Sequence, residues 1–242
     1  MHPAERAACD LVRPSPEHFN PSARLPHGCT VEAVRNAMAE FLDFLEFINT
    51  QLHSRQLPRL ECFLMPATFS GIVGEFMSAT IPKHCPTLVK NGYHNGHPDL
   101  IPAGRYERDA VQHGEQGVEI KGSRYLRGWQ GHNAEAAWLM VLAFEANRGR
   151  DEGLNVPPTP FRFLKVVGAK LETTDWLFSG RSPTSRRTIT ASVTTTGFNK
   201  VEGNWIYRLP GNSNGSETES TSESTSGTRT DRKRRAPRTP KS

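Results

Sequence analysis

The sequence predicts an α/β (α+β) domain with a central mixed β-sheet flanked by helices. Three observations predict it. Two helical segments occupy the front of the chain, a strictly alternating strand follows at Val118–Lys121, and two long apolar runs come after that strand.

The elements are taken in chain order. Residues 1–28 are rich in Pro, His and charge with no clear period, and are expected to form an irregular arm. Thr30 is the right residue type for an N-cap. Val31, Val34, Met38, Phe41, Leu42, Leu45 and Ile48 then recur at three- and four-residue steps, which predicts a long amphipathic helix to about His53. Phe44 and Phe47 widen its apolar face. Pro66 opens a second helix through about Thr80, with Phe69, Ile72, Val73, Phe76 and Met77 on one face, and Pro82 is expected to stop it. Residues 81–97 read as a loop, Asp99–Ile101 as a short strand, and 102–116 as a polar loop. Val118–Lys121 alternates strictly and reads as a strand. A polar, Gly-rich loop over 122–133 leads into the apolar run Ala136–Phe144 (AAWLMVLAF), whose length suits a strand buried on both faces. Phe161–Leu171 reads as a further strand, with Trp176–Phe178 just after it; Thr188–Thr196 and Trp205–Arg208 read as β-like pieces. Residues 211–226 are almost pure Ser, Thr, Glu, Gly and Asn, the composition of a disordered segment, and a basic end follows. The expected organisation is therefore an arm over 1–28, a folded domain over 29–210 and a tail over 211–242.

Charge and cysteine content narrow the function classes. The net charge is +5, but residues 211–242 hold seven Lys/Arg against four acids, so most of the basic character belongs to the tail. The four cysteines form no C-x-x-C pair, and Cys85 with His84, His94 or His97 matches no zinc spacing. The sequence shows no N-terminal apolar run and no stretch of about 18 apolar residues, so the expected setting is a reducing cytoplasm without a membrane span.

The chemistry centres on Asp99 and Glu119-Ile120-Lys121. In a strand, Val118 and Ile120 point to one face and Glu119 and Lys121 to the other, roughly 7 Å apart along the strand. If Asp99 lies on a neighbouring strand, two carboxylates converge beside one lysine. Two carboxylates make a hard-oxygen site suited to Mg²⁺, and an adjacent ammonium can position or deprotonate a water and offset phosphate charge.

Pro98-Asp99, nineteen intervening residues and Glu119-x-Lys121 together resemble the PD-(D/E)xK nuclease motif. That superfamily includes many type II restriction endonucleases. The resemblance covers about residues 65–145. It implies a restriction-endonuclease-like core, with Asp99 and Glu119 as Mg²⁺ ligands (Mn²⁺ substituting) and Lys121 as the catalytic lysine. Glu75, on the helix before the motif, is the counterpart of the additional acidic ligand that members often carry. The chain departs from the pattern after the lysine strand, where many members show a helix and this sequence has a Gly-rich loop.

That loop offers candidate DNA contacts in Ser123, Arg124, Arg127, Gln130, His132 and Asn133, with Trp129 as a packing anchor, and Arg186 and Arg187 suggest a second DNA-facing arm. The expected activity is Mg²⁺-dependent hydrolysis of double-stranded DNA by a sequence-specific enzyme of type II character, a homodimer if its site is palindromic. Two alternatives stay open: a structure-specific nuclease of repair or phage type, and a DNA-binding protein without catalysis.

Overall fold

A computed structural model describes residues 3–131, 136–178 and 191–211. The elements in chain order are α1 (Pro3–Ala7), α2 (Val31–Ser54), α3 (Leu60–Phe63), α4 (Pro66–His84), β1 (Leu88–Lys90), β2 (Leu100–Pro102), β3 (Val118–Ser123), β4 (Gln130–Gly131), β5 (Trp138–Glu145), β6 (Arg162–Lys170), β7 (Trp176–Phe178), β8 (Ala191–Val193), α5 (Thr195–Gly203) and β9 (Trp205–Arg208). The main sheet is mixed, in the order β1-β2-β3-β5-β6-β9. All its pairings are antiparallel except that of β3 with β5. A small sheet, β4-β8-β7, stands apart from it.

Each face of the main sheet has its own apolar layer. On one face Val118, Ile120, Met140, Leu142 and Phe144 pack against α2 and α4 through Phe41, Phe69 and Met77. Phe41, Phe69, Phe144, Phe161 and Phe163 meet edge-on or tilted with centroids 5.0–5.9 Å apart, the arrangement aromatic quadrupoles favour. On the other face Leu139, Val141, Val167 and Leu171 pack against Trp129 and Val201. β5 is thus covered on both sides, as its unbroken apolar run requires.

The two long helices start where the sequence places them. Thr30 caps α2 by accepting the Ala33 N–H at 3.1 Å. Phe44 packs against the core, whereas Phe47 stands 62% exposed and widens no buried face. α4 runs past Pro82 to His84. The ring removes only one ladder bond, and buried Ile81 and Cys85 on either side hold the last turn. Cys85 is committed to Thr87, its Sγ 3.2 Å from that hydroxyl.

Other expectations are corrected. Residues 3–28, expected as an irregular arm, carry the short helix α1, bury Ala8, Cys9 and Leu11, and pair Phe19 with Tyr207. The stretch expected as loop over 81–97 contains β1. Of the β-like piece expected over 188–196, the described part from Ala191 is β8 followed by the first turn of α5, where Thr194 caps the helix by accepting the Gly197 N–H. Three threonines suggest a strand, but the first of them also supplies the hydroxyl that starts a helix.

No helix among the described residues is long and apolar enough to cross a membrane. Beyond Gly211 the expected Ser/Thr-rich and basic tail lies outside the described residues, as do His132, Asn133, Arg186 and Arg187.

Candidate active site

The register of β2 against β3 places Asp99. Leu100 pairs with Val118, and both are buried on the helix side of the sheet. One residue back along β2 and one forward along β3, Asp99 and Glu119 therefore face the other side together. Asp99 Oδ2 accepts the Ile120 N–H at 2.8 Å, so the carboxylate takes the place of a ladder carbonyl against the motif strand.

Local chemistry enforces this approach. Gly117 has φ +145, and a Cβ there would stand 2.1 Å from the Leu100 carbonyl oxygen. Only glycine lets the two strands close at that point. The side chain of Asn91 clamps the preceding loop, donating to the Pro98 and Val111 carbonyls and accepting the Tyr93 and Val111 N–H groups. Backbone bonds from His97 N–H to Gln112 and from Gly114 N–H to His97 tie the same loop to residues 112–114.

The electrostatics follow from burial. Burial, and next the charge of Glu119, push the Asp99 carboxyl up to about 7, against the Ile120 N–H that favours its charged form. Lys121 lies on the Glu119 face of β3, and burial pulls its pKa down while Glu119 and Asp99 act to hold it up. Glu119 is steadied by His97, whose Nδ1 lies 2.9 Å from Oε2. A hollow of about 490 Å³ opens here, lined by His97, His113, Glu119, Lys121 and Gln130 among others.

Glu75 is positioned differently from Asp99 and Glu119. It is largely exposed on α4 and pairs with Lys90 at 2.6 Å, although its charge still contributes to raising Asp99. Among the described residues no group of three His, Cys, Asp or Glu side chains converges as a metal cluster. The carboxylates that fit a divalent cation are Asp99 and Glu119. Two hard-oxygen donors on one face, one of them driven toward protonation by burial and then by the other, suit a cation that keeps much of its own hydration.

The loop after β3 divides into structural and open residues. Ser123 is buried, and its hydroxyl both donates to the Tyr125 carbonyl and accepts the Tyr125 N–H. Arg124 donates to the Ala146 and Asn147 carbonyls at 2.5 and 3.2 Å and lies over the rings of Phe69 and Phe144. Both side chains brace the turn from within, in place of the expected outward reach. Trp129 is buried against Phe198 and donates from Nε1 to the Tyr125 carbonyl. Arg127 and Gln130 are exposed.

No family model, curated protein or solved structure matches this chain. The site therefore stands on its own geometry.

Sequence reading missed His97 as the support of Glu119. His97 and Glu119 are far apart in sequence and meet only in the fold, so no local pattern marks the pair.

Proposed function

We propose that this chain is a Mg²⁺-dependent endonuclease that hydrolyses DNA phosphodiester bonds, on the plan of the type II restriction enzymes that its motif resembles. The observation that carries the reading is the meeting of Asp99, Glu119 and Lys121 on one face of two adjoining strands, with Asp99 raised to about 7 by burial and by its neighbour. Such a pair is costly to hold without a cation, and this cost is the usual mark of a site shaped for chemistry.

Asp99 and Glu119 would hold the ion, which when bound supplies Lewis acidity toward a phosphate oxygen. Lys121 positions the attacking water and takes up its proton, a role eased by burial that lowers the lysine's hold on its own proton. His97 keeps Glu119 in place, and the Ile120 N–H does the same for Asp99. Water attacks phosphorus directly, without a covalent enzyme intermediate, as the P–O bond to one ester oxygen of the cut strand breaks and that oxygen leaves as a hydroxyl with a proton from solvent water; a palindromic target would call for a homodimer.

The test is cleavage of plasmid DNA with Mg²⁺. Lys121→Ala and Asp99→Ala are expected to lower cutting by at least about a hundredfold while DNA binding survives. Near-full activity of Lys121→Ala would remove the lysine from this scheme, and absence of cutting with any divalent ion would favour a DNA-binding protein without catalysis.

A further inference from the structure

Lys121 lies where two hollows meet. The larger is a cleft of about 1140 Å³ between the α3–α4 turn, the loop after β3 and the loop after β5. Five of its lining residues are basic and none is acidic: Lys121, Arg124, Arg127, Arg148 and Arg150. Among the described residues Arg127, Arg148 and Arg150 form no salt bridge, although the Arg127 guanidinium lies over the Phe198 ring and Asp151 accepts the Arg148 backbone N–H. The same walls carry Phe63, Met65 and Tyr125, which are 63%, 73% and 67% exposed. Tyr125 is held by its backbone, through the Ser123 hydroxyl and the Trp129 indole, so its ring is presented from a braced turn.

We propose that this cleft seats a single DNA strand with its bases unstacked, leading to the phosphate that is cut beside Lys121. This rests on the nuclease reading and narrows its substrate toward DNA with an unpaired segment. Charge complementarity calls for a polyanion. The apolar side chains decide which kind: base faces are hidden in an intact duplex, and only a splayed strand offers them to Phe63, Met65 and Tyr125. Arginines on the backbone with rings on the bases is the pairing that binds a strand without reading its sequence. A duplex held by its phosphates alone would leave all three side chains in water.

The test is fluorescence anisotropy of the full chain without divalent metal, comparing labelled oligo-dT with a duplex of equal length. The strand is expected to bind more tightly. Tyr125→Ala and Phe63→Ala should each weaken strand binding roughly tenfold and leave duplex binding unchanged, with circular dichroism unaltered. Arg148→Ala should reduce the salt dependence of strand binding by about 0.7 in logarithmic slope, one phosphate contact on a single strand. Duplex binding as tight as strand binding, indifference to both ring removals, or equal competition by polyglutamate would each overturn the proposal. Cleavage is read separately with Mg²⁺. Strand binding without cutting would sink the nuclease reading and leave the cleft assignment, whereas cutting of duplex without any strand preference would do the reverse.

Discussion

At the scale of single residues, the proposed function of the site and the stability of the fold oppose one another. Asp99 has an ordinary value of 3.8 and is raised to about 7 in the fold. An acid raised in this way binds an extra proton in the folded state, so its stabilising contribution is full below the unfolded value and is lost as pH rises from about 4 through about 7. Asp99→Asn keeps an oxygen to accept the Ile120 N–H and removes the charge. The variant should therefore be more stable than the native chain at pH above 7 without metal, by at least about 1 kcal/mol, and should gain nothing from Mg²⁺ where the native chain does. Thermal melts with and without Mg²⁺ measure both; a variant less stable than the native chain under metal-free conditions would contradict this account of Asp99. The motif residues were legible in the sequence because strand alternation is a strong constraint. The roles of Ser123 and Arg124 were not. Both lie in a loop, and whether a loop side chain turns inward or outward depends on distant partners such as Ala146 and Asn147, which no local pattern reveals.

At the scale of elements, the contact of α4 with β3 sets where Lys121 stands. Gly122 follows the lysine directly, and a Cβ there would lie 2.4 Å from the Ser70 carbonyl oxygen of α4. Backbone has nowhere to go, so Gly122→Ala is expected to cost about 1–3 kcal/mol and, on the proposed function, to lower hydrolysis by shifting the strand. Gly71 in the same helix meets nothing within 4 Å. Gly71→Ala should instead add about 0.5–1 kcal/mol through backbone entropy alone. Urea unfolding of the two variants separates close packing from propensity; destabilisation of equal size in both would refute the contrast. Helices α2 and α4 and strands β3, β5 and β6 announced themselves by period and length. β1 spans three residues and α5 opens with two threonines, so neither carries enough pattern to outweigh its surroundings.

At the scale of the whole molecule, one buried ionic knot joins parts far apart in sequence. Arg59 and Glu61 are fully buried and lie 2.8 Å apart. Arg59 also reaches Glu5 of α1, the Thr159 carbonyl and Asn147, while Glu61 accepts from Asn49 of α2. Asn147 begins the loop that carries Arg148 and Arg150 into the cleft. Removing one partner leaves the other charge buried and unmatched, so Arg59→Ala should cost about 3–5 kcal/mol and loosen the loop. The double replacement Arg59→Met, Glu61→Leu should recover much of that loss. Denaturation midpoints decide it, and an unchanged midpoint for Arg59→Ala would rule out this role for the pair. None of this could be read along the chain, because the ion pairs between residues 5, 59 and 61, the Asn147 amide oxygen and the Thr159 carbonyl come together only in the fold.

The bond from the Ile120 N–H to Asp99 has one more consequence. Most amides of the central strand report only on their ladder partners, but this one ends on a carboxylate whose charge changes with the state of the site. Its resonance in an ¹⁵N correlation spectrum is thus a native reporter, needing no label or substrate. Addition of Mg²⁺ should move the Ile120 cross-peak with a saturation curve that Asp99→Asn abolishes, and a peak that stays still would mean that the ion does not reach Asp99.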